Sequence, residues 1–382
     1  MKILFLCSSV EAGKDGVGDY TKLLGSVLVL KGYQVHILAL CDSHVEGIVK
    51  ETKNVENSSC TITRISGKTS QNERFLRVQE VVNEFGPDWV SLQFVPYGYN
   101  AKGLPFWLPG FLDQLKGVQQ WHIMFHELWM GTAKKGAFKN KVVSYFQKHI
   151  IKQLLKKINP KLIHTHLPAY RSNIEKLGYR VKALPLFSNI SPISAGVLEN
   201  KPLSTFRWAF FSQVEIEISI IDFINSFNIA LKEKGIVTEL IFIGGNKSRM
   251  LPYVEYFKNH CPLLITVSCT GFLNETEISD LVTSCDMGIT PVPQHALGKS
   301  GSAATFLAHG IPVAAPIVNQ EYTDSGIGFF DDNWSKAILT NPSLNALHAA
   351  QKAAFQHKQL FTVEYTSISF MNDLVEITKT ST

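Results

Sequence analysis

Twice along this chain, short runs rich in β-branched and aromatic residues alternate with helical segments, and once, near the middle, the alternation lapses. The first series predicts strands at 2–8, 33–40, 88–95, 119–125 and 161–165, with helices at 19–31 and 73–85. The second predicts strands at 206–211, 238–243, 264–269, 286–290 and 312–315, with helices near 219–234, 250–259, 275–285 and 301–309. Such alternation predicts parallel sheets covered by helices on both faces. Around 188–205 proline, serine and glycine break both periods, which places a linker at 191–205 between domains spanning 1–190 and 206–363. The stretch 343–379 reads as two helices, and the segment 364–382 is assigned to the first domain. The expectation is an α/β protein of two Rossmann-like domains, whose ligands bind at the carboxyl ends of the strands in a cleft between the sheets.

Composition fits that reading. The 382 residues are 45% apolar and 18% charged, enough for two ordinary cores and without disordered or collagen-like bias. No apolar run reaches bilayer-spanning length, and the run after Met1 is too brief for a secretory signal. The six cysteines show neither CxxC nor paired Cys/His spacing, so neither zinc nor a disulfide framework is indicated, and scattered thiols fit the cytosol. The net charge of +5 is unevenly spread: nine lysines and no acidic residue fall between Ala133 and Lys161, leaving the remainder slightly acidic.

Three motifs carry candidate chemistry. Between the first strand and helix lies Gly13-x-x-Gly16-Val17-Gly18-Asp19-Tyr20. Glycines admit close backbone approach, and the helix start behind them presents unpaired N–H groups suited to phosphate; a tight turn with no ligand is the plain alternative. His126-Glu127 follows a strand, where a histidine faces the expected cleft and can donate to a hydroxyl or phosphate; the alternative is a structural histidine. The third runs from Pro291 through Lys299-Ser300-Gly301-Ser302 into a helix, then Ala308 to Val313. A lysine, two hydroxyls and helix N–H groups converge there on a diphosphate cradle, against the alternative of an ordinary capped helix. No DxD pair occurs anywhere, so no metal is expected: backbone dipoles and a cation would neutralise the leaving diphosphate.

In this order the pieces resemble the GT-B glycosyltransferases, most closely the retaining family 4 group. The likeness takes in the GVGxY loop at Gly16 to Tyr20, the pair His126-Glu127 and the strand ending at Gly244-Gly245. It continues through the segment from Gly271-Phe272 to Leu281 and the A-x-G-x-P-V closure at Ala308 to Val313. It implies a transferase that moves a sugar from a nucleotide-sugar donor to a glycan or lipid-linked acceptor, with retention of configuration and no cofactor. By resemblance, Gly16, Val17, Gly18 and Glu127 lie beside donor or acceptor, and His126 contacts the transferred sugar or the acceptor. Ser212, Gln213, Gly244, Gly245, Lys247, Phe272, Lys299, Ser300, Gly301, Ser302 and Thr305 belong to the donor site.

Departures from the pattern are specific. The two family glutamates preceding the closure fall here on Leu297 and Thr305, the second at the position that holds the nucleotide ribose. No Lys or Arg occurs from Trp208 to Leu231, and Ser212-Gln213 stands where the family has an arginine. Lys299, Lys247 and Arg249 are the nearest cations, with Lys299 the expected substitute and, with His126, the expected catalytic residue. Two rivals stand: a sugar-nucleotide epimerase, which needs carboxylates for proton transfer at carbon, and a non-catalytic sugar-nucleotide-binding protein.

Residues 138–158 predict an amphipathic helix, with Lys141, Lys148, Lys152 and Lys156 on one stripe and Val142, Val143, Phe146, Ile150, Leu154 and Ile158 opposite. One reading is contact with anionic membrane, which makes the protein cytoplasmic and peripheral on the inner face; the other is a domain helix with solvated lysines. Without interleaved aromatic or arginine residues, the lysines do not predict nucleic-acid binding. The run Phe94 to Asn100, with Tyr97 and Tyr99, reads as an acceptor-pocket wall or as loop packing.

Overall fold

The structure, a computed structural model, describes residues 1–55, 58–129, 138–193, 204–320, 322 and 326–380. The chain divides into two compact units, Met1–Leu184 with Thr366–Thr382, and Pro185–Tyr365. Residues 185–193, expected at the end of the first domain and the start of the linker, therefore belong to the second unit. Most of the expected linker, 194–203, lies outside the described residues, and Thr205 already opens a strand.

In the first unit the order is β1 (Lys2–Cys7), α1 (Gly16–Leu30), β2 (Gln34–Asp42), β3 (Ile48–Val55), β4 (Ser58–Ser66), α2 (Gln71–Phe85), β5 (Trp89–Phe94) and α3 (Pro96–Tyr99). It continues with α4 (Trp107–Asp113), β6 (Gln120–Phe125), α5 (Phe138–Ile158), β7 (Leu162–Thr165), α6 (Pro168–Glu175) and β8 (Lys182–Ala183). The sheet runs β3-β4-β2-β1-β5-β6-β7-β8 and is parallel except for the β3–β4 hairpin. That hairpin was not predicted: β3 reads IVKETKNV, an edge strand whose charged side chains mimic a loop and also blunt the edge against stray pairing. Alternate residues of the central strands (Leu4, Leu6, Val90, Leu92, Ile123, Phe125) enter one core with Val78, Leu108 and Leu154 from the helices on that face.

The second unit comprises β9 (Thr205–Phe211), α7 (Ile218–Glu233), β10 (Val237–Ile243), α8 (Lys247–His260), β11 (Leu264–Cys269), α9 (Glu275–Thr283) and β12 (Met287–Ile289). A 3₁₀ turn at Gln294–Lys299 follows, then α10 (Gly301–Ala308), β13 (Val313–Ala314), α11 (Asp332–Ser335), β14 (Ile338–Leu339) and α12 (Leu344–His357). Its sheet is parallel, ordered β11-β10-β9-β12-β13-β14. The core is aromatic: Phe206, Trp208, Phe210, Phe242 and Phe257 are all buried, and the Trp208 indole N–H donates to Asn228 Oδ1 at 3.0 Å. Gly288 leaves room for Phe306, whose ring would stand 2.3 Å from a Cβ placed there.

The last helix, α13 (Val363–Thr380), belongs from Thr366 onward to the first unit. Phe370 packs on Phe5, and Thr378 Oγ1 accepts from the Trp89 indole at 3.3 Å. Among the described residues, no helix is long and apolar enough to cross a membrane.

Candidate functional site

In the second unit, parallel strands bring four loops to one edge of the sheet. From β11 across to β12, their carboxyl ends lead into Phe272, Gly244-Gly245, Ser212-Gln213 and Pro291. Ser212 has φ of 64°, a left-handed conformation that is uncommon for a residue with a side chain and recurs at functional sites. Its N–H donates to Ile243 O at 3.1 Å, which ties the end of β9 to the end of β10. Gly244, Gly245 and Gly271 all take φ near 80°, where glycine is at ease. Gly244 N–H donates to Thr270 Oγ1 at 3.0 Å, and Gly244 bridges Gly271. Lys247 and Arg249 open α8 and are exposed, as are Ser212 and Gln213. Phe272 is 80% exposed, a large apolar ring held out in water.

On the other side of β9, Lys299 ends the 3₁₀ turn and is exposed. Ser300 caps α10: its Oγ accepts from Ala303 N–H at 3.2 Å and lies 3.1 Å from Ser302 Oγ. Ala304 N–H goes to Ser300 O. The helix start thus retains the N–H groups of Gly301 and Ser302 as donors, and a Cβ on Gly301 would meet nothing within 4 Å. Thr305 departs from expectation. Its side chain is buried, with the hydroxyl bonded to Gly301 O at 2.9 Å and 3.0 Å from Ser188 Oγ. The position expected at the ribose therefore steadies α10 from inside.

The first unit corrects a second expectation. Helix α1 begins at Gly16, and two of its first three N–H groups are already taken. Asp15 Oδ1 accepts from Val17 N–H at 2.9 Å and Gly18 N–H at 3.0 Å. Gly18 is needed for packing, since a Cβ there would sit 2.5 Å from Ser9 O, whereas Gly16 faces open space. Behind this loop Asp42, at the end of β2, has a wholly buried carboxylate. It accepts from Val10 N–H at 3.2 Å and from Arg64 Nε at 2.8 Å. Burial alone would raise its carboxyl, but the Arg64 guanidinium and the N–H groups of His44 and Val10 outweigh burial and hold it below the ordinary value of 3.8.

His126 follows β6 and is buried, with both ring nitrogens engaged. Nε2 lies 2.9 Å from Gln93 Oε1 and Nδ1 lies 3.0 Å from His166 Nε2. Tyr20 packs edge-on against it at 4.9 Å, and burial drives the imidazole well below its ordinary pKa. Glu127 is half-buried beside it. In the aromatic run, Phe94 and Tyr99 pack inside, with the Tyr99 hydroxyl donating to Gln93 O, while Tyr97 stays exposed.

Helix α5 divides lengthwise. Ile150, Ile151, Leu154, Leu155 and Ile158 are buried, and Lys141, Lys148, Lys152 and Lys156 are exposed. Earlier in the helix, Val142, Tyr145 and Phe146 stay exposed, and Phe106 stands 5.8 Å from Phe146, itself 55% exposed. Among the described residues, no group of three or more His, Cys, Asp or Glu is placed to hold a metal ion.

Two sheets of this order, each with its loops at the carboxyl edge, superpose on solved proteins along nearly the whole chain. HepE from Anabaena, solved with UDP and glucose, matches at TM-score 0.57 and 14% identity, covering 98% of this chain and 100% of that one. The chain has the GT-B fold. An α,α-trehalose 6-phosphate synthase from Burkholderia multivorans matches this GT-B chain at TM-score 0.60 and 10% identity, covering 100% of this chain and 97% of that one. A putative UDP-N-acetylglucosamine 2-epimerase from Listeria monocytogenes matches at TM-score 0.53 and 10% identity, covering 97% and 94%. No protein-family model matches the sequence, and no curated protein does. At these identities the likeness is one of fold.

Sequence reasoning missed Asp15, the Asp42–Arg64 pair and the partners of His126. Asp15 carried a signal, since an Asp just ahead of a helix is a preferred cap. Arg64 carried none, because its strand was not recognised.

Proposed function

We propose that this GT-B protein is a nucleotide-sugar-dependent glycosyltransferase acting on a glycan or lipid-linked acceptor, retaining and independent of metal. The observation that carries the reading is the carboxyl edge of the second sheet. There a left-handed Ser212, the Gly244-Gly245 turn, the exposed cations Lys247, Arg249 and Lys299, and the start of α10 share one side of the domain with an exposed phenylalanine. Exposed cations and helix N–H groups suit a diphosphate, and Phe272 offers a face on which a base can stack. With no DxD pair in the sequence, the charge on the departing diphosphate falls to Lys299 and the Gly301 and Ser302 N–H groups. In the first unit Gly16 is open on its Cβ side, which leaves room for a substrate at the loop, and His126 is assigned the contact with the transferred sugar or the acceptor. HepE, solved with UDP and glucose, supports a uridine donor as the first to try.

The test is a thermal-shift screen against UDP, GDP, ADP, CMP and their sugars. A ligand of the folded state at a hundredfold excess over its dissociation constant stabilises by about 2.7 kcal/mol, a rise of several degrees. The expected result is a shift with one base that Phe272→Ala weakens without lowering the melting temperature of the free protein. No shift with any nucleotide favours the non-catalytic rival. A shift accompanied by epimerised free donor favours the epimerase.

The exposed patch of Phe106, Val142, Tyr145 and Phe146 beside the lysine stripe supports a peripheral membrane contact, because apolar side chains can enter the interface while each lysine adds about 1 kcal/mol on anionic lipid. Flotation with vesicles containing phosphatidylserine is expected to carry the protein upward, and a Tyr145→Ser/Phe146→Ser double variant is expected to stay behind. Equal recovery of both proteins in the soluble fraction would remove the membrane from this reading.

A further inference from the structure

One face of the first sheet carries a polar stripe through an otherwise apolar interior. Side chains alternate along a strand, so Ser91 and Gln93 of β5 point to one face. By the same alternation His122 of β6 and His126 just beyond it share that face, as do His164 of β7 and His166 just beyond it. In the ladder Ser91 is level with His122, and Gln93 and His164 are both level with Met124. All six are buried.

They form one unbroken chain of hydrogen bonds. It starts at Leu184 O, 2.9 Å from His166 Nδ1. His166 Nε2 lies 3.0 Å from His126 Nδ1, and His126 Nε2 lies 2.9 Å from Gln93 Oε1. Gln93 Nε2 donates to Ser91 Oγ at 2.8 Å, and Ser91 Oγ is 2.8 Å from His122 Nδ1. His122 Nε2 lies 3.0 Å from His164 Nδ1, and His164 Nε2 lies 2.8 Å from Asp373 Oδ2 on α13. Lys182 Nζ holds the other Asp373 oxygen at 2.7 Å and also pairs with Glu376. The rings that close around the chain are Tyr20 on His126 and His166, and Phe370 on His122 and His164.

The chain is one proton short. Both of its ends, a carbonyl and a carboxylate, can only accept. Between them lie seven links, each needing one proton. Four neutral imidazoles supply one each, the serine one, and the amide one whichever way it is turned, which makes six. With every group neutral, two lone pairs must face each other somewhere in a buried interior.

We propose that the chain holds one excess proton, resting on His164 as an imidazolium against Asp373. With the Gln93 amide turned end for end, a rotation that exchanges its oxygen and nitrogen and keeps both contacts, every bond can then be satisfied. His164 donates to Asp373 and to His122, His122 to Ser91, and Ser91 to the Gln93 oxygen. The amide nitrogen then donates to His126, His126 to His166, and His166 to Leu184 O. His126 is thereby fixed with its proton on Nδ1. Placing the proton on His126 instead reverses each bond between: His164, His122 and Ser91 each break one N–H or O–H and make another, and the Gln93 amide, which keeps both its N–H hydrogens, turns end for end. Burial drives all four imidazoles toward the neutral form, at His164 against the pull of Asp373. The bonding deficit reverses that balance where a carboxylate neutralises the charge. His164 and Asp373 are thus positioning residues for His126. Any effect on transfer rests on the glycosyltransferase reading, whereas the proton count does not.

Histidine-selective nitrogen labelling tests it without any activity measurement. Near neutral pH the intact protein is expected to show one buried imidazole with both nitrogens protonated and both N–H groups protected from exchange. Ser91→Ala splits the chain into halves that neutral groups satisfy, and Asp373→Asn supplies the missing proton from its amide, so each folded variant is expected to lose that signal. Four neutral buried rings in the intact protein would overturn the proposal. So would a doubly protonated ring that survives both substitutions.

Discussion

Lys299→Ala is expected to lower the transfer rate by on the order of a hundredfold or more, the usual consequence of removing a preorganised charge from a developing anion. The melting temperature is expected to stay within about a degree, because the side chain is exposed at the end of a 3₁₀ turn and such surface changes are generally worth under about 0.5 kcal/mol. The loss belongs in kcat at saturating donor rather than in KM, since the diphosphate carries more charge as it departs than while it is bound. A variant that keeps full activity would move the role to Lys247 or Arg249, the other exposed cations along that edge.

Arg64→Met is expected to damage the first unit more than any exposed substitution. It leaves the wholly buried Asp42 carboxylate without its charged partner, a change that costs about 3–5 kcal/mol. At about 2–4 °C per kcal/mol for a unit of this size, the midpoint should fall by roughly 10 °C. The pH dependence has a definite sign. In the folded chain Asp42 is held below 3.8, so its contribution is present above that value and is lost as pH falls through the folded one. The gap between wild type and variant should therefore be widest near neutrality and close in acid. A constant gap down to strong acid would mean that the guanidinium acts through packing alone.

The fold was legible because period and punctuation agree along most strands. FRWAFF, TELIFI and QQWHIMF are short apolar runs bounded by breakers, and each became a strand within a residue or two of its expected ends. Where polarity served another purpose, legibility failed. The β3 strand is hydrophilic because it lies at an edge, and so read as loop. The candidate site was legible only as positions. Gly16, Gly18 and Thr305 were all placed beside a ligand by resemblance, yet a Cβ meets open space at the first and backbone at the second, and the third turns its hydroxyl inward. Ser212 showed no sign of its left-handed backbone. The histidines of HIMFH and HTH showed their alternation openly, but the acceptor that gives it meaning, Asp373, lies more than two hundred residues further on.

That last separation bears on how the molecule is made. The helix that covers the first sheet's polar stripe leaves the ribosome only after the whole of the second unit. Until then, Ser91, Gln93 and the four imidazoles can be served by water, and the first sheet waits with one face unsealed. The second unit needs nothing from the first to complete its own core, so it can mature during that pause. Vectorial synthesis thus imposes an order opposite to the order of the genes' codons: the half begun first is finished last. A chain stalled or clipped before Thr366 would carry a complete second unit attached to an unsealed first one, the kind of species that chaperones retain and proteases clear.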